Sequence, residues 1–94
     1  MEIVNLRIKK QDKRGIMYDC DRVVYITRKA GSVSANHSHQ EDEVIYILKG
    51  QIELTLDKET QTISGPKKIA IPSNVFHKLV AVTDIELLVD RENE

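Results

Sequence analysis

The sequence has one cysteine, one phenylalanine, no tryptophan, two prolines and four glycines. A single cysteine, Cys20, excludes a disulfide within the chain. Asp19 and Asp21 flank it, and negative neighbours disfavour the thiolate, so Cys20 reads as structural rather than nucleophilic. No apolar run approaches the ~20 residues that a membrane-spanning helix needs. An excess of one charge is missing too: 14 basic residues face 15 acidic ones, interspersed along the chain, for a net charge of −1. Without a basic stripe there is no footprint for nucleic acid. Met1 to Lys10 alternates apolar and charged residues and lacks the apolar core of a signal peptide, so the expected location is the cytoplasm. The 94 residues amount to one domain, 1–94. A domain so small buries a modest share of its surface, which makes a bound metal or a partner subunit the expected extra source of stability.

What is present is β-forming sequence. Ile3 to Ile8, Ile16 to Tyr18, and Arg22 to Arg28 with its Val23-Val24-Tyr25-Ile26-Thr27 cluster read as strands. Ala30 and Gly31 interrupt, and Glu43 to Leu48 resumes. Lys49-Gly50 then reads as a tight hairpin turn. Gln51 to Leu56 has the clearest period of two, with Ile52, Leu54 and Leu56 on one face. Asp57 to Glu59 supplies turn chemistry. Thr60 to Ile63, Lys68 to Ile71, Phe76 to Val82 and Ile85 to Val89 complete the set, punctuated by Gly65-Pro66 and Pro72-Ser73-Asn74. No window shows a capped helical period. Many short strands at close spacing predict an all-β sandwich or barrel. Leu79 to Val82 is apolar on both faces, which predicts cover by a second subunit, a homodimer.

One constellation carries chemistry. Gly31, His37, His39, Glu43 and Gly50 form the pattern G-x5-H-x-H-x3-E-x6-G. Five fixed positions match by chance in a chain this long on the order of once in 10^5. In an extended strand His37 and His39 project to one face, about 7 Å apart, where both imidazoles can converge on one ion. Glu43 opens the apolar run Val44-Ile45-Tyr46-Ile47-Leu48. A carboxylate entering a buried strand needs a compensating partner, and a metal supplies one.

This pattern resembles the first motif of the cupin superfamily at every fixed position. Pro72-Ser73-Asn74-Val75-Phe76-His77 is similar to the P-x-G-x2-H stretch of the second. Asn74 stands where the family prefers Gly, and Asn is among the residues that best tolerate positive φ. Ala81 stands where the family often has Asn, and the interval from Gly65 to Pro72 is one residue longer than the common form. The resemblance covers about Gly31 to Ala81. It implies a small double-stranded β-helix, or jelly-roll barrel, with one divalent metal held by His37, His39, Glu43 and His77. All three histidines of the chain fall on those ligand positions.

Three imidazoles and a carboxylate suit Mn, Fe, Zn, Ni, Co or Cu. The resemblance implies a metal-dependent enzyme of the dioxygenase, isomerase or decarboxylase type acting on a small polar molecule. It equally implies a non-enzymatic module that binds or senses a small molecule in the same barrel, since function lives in the site and not in the fold. Tyr25 and Tyr46 are candidate pocket residues, although each fits a plain core or interface role. Glu41 and Asp42 read as solvated loop charges.

Overall fold

The computed structural model describes residues 1–37 and 42–91, with side chains described for 1–34 and 42–90. Ten strands form among them: β1 (Arg7–Asp12), β2 (Gly15–Cys20), β3 (Val23–Arg28), β4 (Val33–His37), β5 (Glu43–Lys49), β6 (Gln51–Leu56), β7 (Glu59–Ser64), β8 (Lys67–Ile71), β9 (His77–Ala81) and β10 (Ile85–Arg91). The described residues include no α-helix, and so none long and apolar enough to cross a membrane. The strands make two antiparallel sheets, a six-stranded one in the order β1-β2-β3-β10-β5-β8 and a four-stranded one in the order β4-β9-β6-β7. This is an all-β jelly roll, as the spacing of the strand signals predicts.

The period of two decides which residues meet between the sheets. Ile45 and Ile47 of β5, Ile71 of β8, and Ile85, Leu87 and Val89 of β10 are buried from one side. Ile52 and Leu54 of β6 and Leu79 and Ala81 of β9 are buried from the other. Ile47 and Ile52 are fully enclosed, at 0% exposure each, and mark the centre of the core. Burying an aliphatic side chain of this size is worth about 1.5–3 kcal/mol.

Three sequence expectations shift. The first strand begins at Arg7 and not at Ile3, because β2 ends at Cys20 and Arg7 already pairs with Asp19, so the partner strand runs out one residue beyond that pair. Strand β4 joins the set, in a stretch whose Ser and Asn mute any apolar alternation. Gly50 is a tight connection but not a hairpin. β5 pairs with β8 and β10, whereas β6 pairs with β7 and β9. Gly50 is therefore a corner at which the chain leaves one sheet for the other, with φ at 95°. The two-residue hairpins lie elsewhere, at Lys13-Arg14 between β1 and β2, at Asp21-Arg22 between β2 and β3 and at Asp57-Lys58 between β6 and β7. Asp21 and Asp57 there adopt positive φ, the conformation that tight β-hairpin turns demand.

Candidate metal centre

Glu43 is the first residue of β5 and His77 the first residue of β9, so each sheet delivers one of them to the same end of the core. Both are 4% exposed. Parity explains the burial of Glu43: it shares a face of β5 with Ile45 and Ile47. His77 shares a face of β9 with Leu79 and Ala81 in the same way. The loop before His77 is set by Asn74, whose φ of 61° is the left-handed turn expected where the family prefers Gly. Asp42 Oδ1 accepts a hydrogen bond from the Ser73 backbone N–H at 2.8 Å. Asp42 is thus more than a solvated loop charge, since it ties the approach to Glu43 to the loop that precedes His77.

The His77 ring has a defined orientation. Nδ1 lies 3.2 Å from the Val75 carbonyl oxygen. A carbonyl only accepts, so Nδ1–H donates to it and Nε2 is the nitrogen on the other side of the ring. Nε2 lies 4.0 Å from Glu43 Oε1. That is too long for a direct hydrogen bond. It is within the ~4.4 Å spanned by two donors sharing one ion at about 2.2 Å each. A backbone carbonyl holding the far nitrogen is the outer-shell arrangement that orients metal-binding histidines. One oxygen and one nitrogen donor, both buried and 4.0 Å apart, are donor types that suit a divalent ion.

His37 closes β4, and its backbone pairs directly with that of His77 across the β4–β9 register. Its side chain is outside the described set, and His39 lies outside the described residues altogether. Among the described residues no group of three or more His, Cys, Asp or Glu gathers to hold an ion.

Glu43 and His77 open onto a cavity of about 260 Å³ between the sheets. Ile26, Ile45, Leu79, Leu87, Val89 and Met17 give it apolar walls, while Arg14, Arg28 and Ser34 add polar groups. The sequence reasoning missed these three. Arg28 shares a face of β3 with Val24 and Ile26, opposite Ile85, Leu87 and Val89 of β10, and only that register shows the face to be the inward one. Arg28 is 7% exposed, and burial lowers its pKa from the ordinary value. Arg14 is bound by Asp12 through Nε and Nη2, at 3.2 and 2.9 Å to Oδ2, and its Nη1 donates to the Val33 carbonyl at 3.3 Å. Tyr25 and Tyr46 do not line the cavity. Tyr25 stacks on Tyr18 and donates to Glu86 Oε1 at 2.6 Å. Tyr46 lies beneath the Lys68 ammonium.

The family model for the cupin domain matches residues 24–89. An uncharacterized protein of Streptomyces coelicolor is 28% identical over 61 residues, which are 64% of this chain and 58% of that protein, less than two thirds of its length. Among solved structures, a conserved protein of unknown function from Streptococcus pyogenes has a TM-score of 0.71 at 27% identity, covering 95% of this chain and 72% of that one. The oxalate decarboxylase of Bacillus subtilis, described with Mn(II) centres, has a TM-score of 0.79 at 18% identity, covering 96% of this chain and 28% of that one. This last likeness is one of fold alone.

Proposed function

The chain belongs to the cupin family, and on that premise we propose that it binds one divalent metal through His37, His39, Glu43 and His77 and acts as a metal-dependent enzyme on a small molecule held in the adjoining cavity. The observation that carries this reading is the buried Glu43–His77 pair, with Nδ1 of His77 committed to Val75 and Nε2 facing the carboxylate. The register that sets His37 opposite His77 supports it. A divalent ion on such a set supplies a Lewis acid, and a redox-active one supplies oxygen chemistry. The oxalate decarboxylase of like fold has Mn(II) centres, which puts manganese among the ions to test here.

The chain's own residues have separable parts in this scheme. Glu43 brings the negative charge that offsets the ion. The Val75 carbonyl holds His77 in one tautomer. The apolar walls exclude water from the ligand, which strengthens every polar contact it makes. We also propose a homodimer, since Val33, Leu48, Phe76 and Val82 join Ile3, Val4, Leu6 and Ile8 as exposed large apolar side chains. The reducing cytoplasm suits a chain whose lone cysteine has no partner.

A second reading, a binding or sensing module without turnover, is favoured by the polar groups that accompany the pair. A guanidinium recognises a ligand but does not exchange protons, and two of them line the cavity.

Elemental analysis of untagged protein, purified without chelators or nickel resin, tests the metal. About one ion per chain is the expected result. No uptake of any candidate ion after soaking overturns the metal reading and leaves the binding module.

A further inference from the structure

We propose that the cavity takes a small organic monocarboxylate, its head held by the guanidinium of Arg28 and its body against the apolar walls. The inference rests on reading this cavity as the ligand site, and it adds the chemical class of the ligand.

The observation behind it is a buried cation without a counter-ion among the described residues. Arg28 is 7% exposed and lines the cavity. Its Nη1 donates to the Thr27 carbonyl at 3.0 Å, while Nε is buried with no hydrogen-bond partner among the described residues. No carboxylate among them forms an ion pair with it: Asp12, the acidic group nearest in effect, is bound to Arg14. Arginine does not escape such a position by losing its proton. A buried charge left without a partner is destabilising, and departures of this kind from the rules of stability are expected at functional sites.

The class of ligand follows from the fork and its surroundings. A guanidinium presents paired N–H donors that match the two oxygens of a carboxylate. The charge of Arg14 is already met by Asp12, so one unmet positive charge asks for one negative charge. A dianion such as phosphate would set a second charge facing Glu43 in the same cavity. The volume, about 260 Å³, lies just under the ~300–1,000 Å³ typical of ligand pockets and suits a body of a few carbons. Ile26, Leu79, Leu87 and Val89 favour that body being apolar.

The test is calorimetric titration of butanoate, and of its neutral isostere butanamide, into chelator-treated protein and into manganese-loaded protein. The expected result is at least tenfold tighter binding of butanoate in both forms. Arg28→Met should reduce the difference to within twofold, and in the absence of ligand it should melt at or above the temperature of the parent chain, because an unpartnered buried charge has been removed. Arg28→Lys, which keeps the charge but not the fork, should retain part of the preference and serves if the methionine variant does not fold. Equal binding of butanoate and butanamide by the parent chain overturns the proposal, and so does tighter binding of inorganic phosphate than of butanoate. A preference that appears only with manganese and survives Arg28→Met places the anion on the metal, which refutes this inference and leaves the metal reading standing. A preference that depends on Arg28 in a chain that takes up no metal does the reverse.

Discussion

His77 Nε2 and Glu43 Oε1 lie 4.0 Å apart between two sheets that share no hydrogen-bonded strand pair. The His77 side is fixed by its Nδ1 contact with the Val75 carbonyl. The Glu43 side is fixed by the antiparallel pairing of Glu43 with Ile71. The separation is therefore a property of how the sheets stack. An ion held as proposed would join the two sheets, so its binding would be coupled to the packing of the fold.

The first prediction concerns Glu43→Gln, which keeps the shape of the side chain and removes its charge. Affinity for a divalent ion should fall at least tenfold, about 1.4 kcal/mol. For the parent chain, an ion at 100 times its dissociation constant stabilises the fold by about 2.7 kcal/mol. In a domain of this size that raises the melting temperature by on the order of 10 °C. The variant should show a much smaller rise at the same ion concentration, and differential scanning calorimetry with and without chelator reads it directly.

The corner at Gly50 gives a second. Its φ is 95°, and a Cβ there would lie 2.3 Å from the Asp84 carbonyl oxygen and 2.7 Å from Ile85 Cγ2. The backbone oxygen has no rotamer through which to yield. Gly50→Ala should cost about 3 kcal/mol, combining conformational strain with the displacement of the start of β10. Gly31 is the control. Its φ is 86°, but a Cβ would meet nothing within 4 Å, so Gly31→Ala should cost only about 1 kcal/mol. Urea denaturation of the two variants separates sterics from conformation.

The contrast between these glycines marks what a sequence can convey. Alternation made β6 legible, since Ile52 and Leu54 are buried as their spacing requires. Asn74 signalled its positive φ by type and position. Glu43 signalled its burial by heading an apolar strand. Gly50 signalled a turn but not which sheets the turn joins, because pairing partners are set by contacts remote in the chain. Arg28 was hidden for a related reason. Its inward parity is plain once β3 is known to pair with β10 through Ile26 and Leu87. Without that register, an arginine at the end of a strand looks like any solvated charge. The proposed ligands His37 and His39 rest on the motif, joined by the backbone pairing of His37 with His77.

Acid sensitivity gives a third prediction. Asp12, at the β1–β2 turn, has its pKa lowered to about 2 by hydrogen bonds from the Arg14 side chain and backbone. An aspartate in the unfolded chain titrates near 3.9. Between those values the folded state binds fewer protons than the unfolded one. The contribution of Asp12 to stability is thus complete above about pH 4 and is lost as the pH falls toward 2. Asp12→Asn should flatten the dependence of the urea midpoint on pH across that window and leave its slope above pH 5 unchanged. Midpoints measured at half-unit intervals from pH 2 to 6 supply the comparison.

The last prediction concerns Asp42, whose Oδ1 accepts the Ser73 N–H at 2.8 Å. Asp42 immediately precedes Glu43, and Ser73 lies in the loop whose Asn74 turn aims Val75 at the His77 ring. One exposed hydrogen bond therefore joins the approaches to two proposed metal ligands on different sheets. Losing it should cost the fold only about 0.5–1.5 kcal/mol. The effect on the site should be larger in proportion, because ion binding depends on the Glu43–His77 spacing to within a few tenths of an ångström. Asp42→Ala should weaken divalent-ion affinity about tenfold while the chain remains folded. Asp42→Asn retains an oxygen acceptor at the same position and should recover most of that loss. Were the role of Asp42 simply to add negative potential near the site, the asparagine variant would bind ions as poorly as the alanine variant. Competition titration against a zinc-sensitive dye, run on all three chains at one ionic strength, distinguishes positioning from charge.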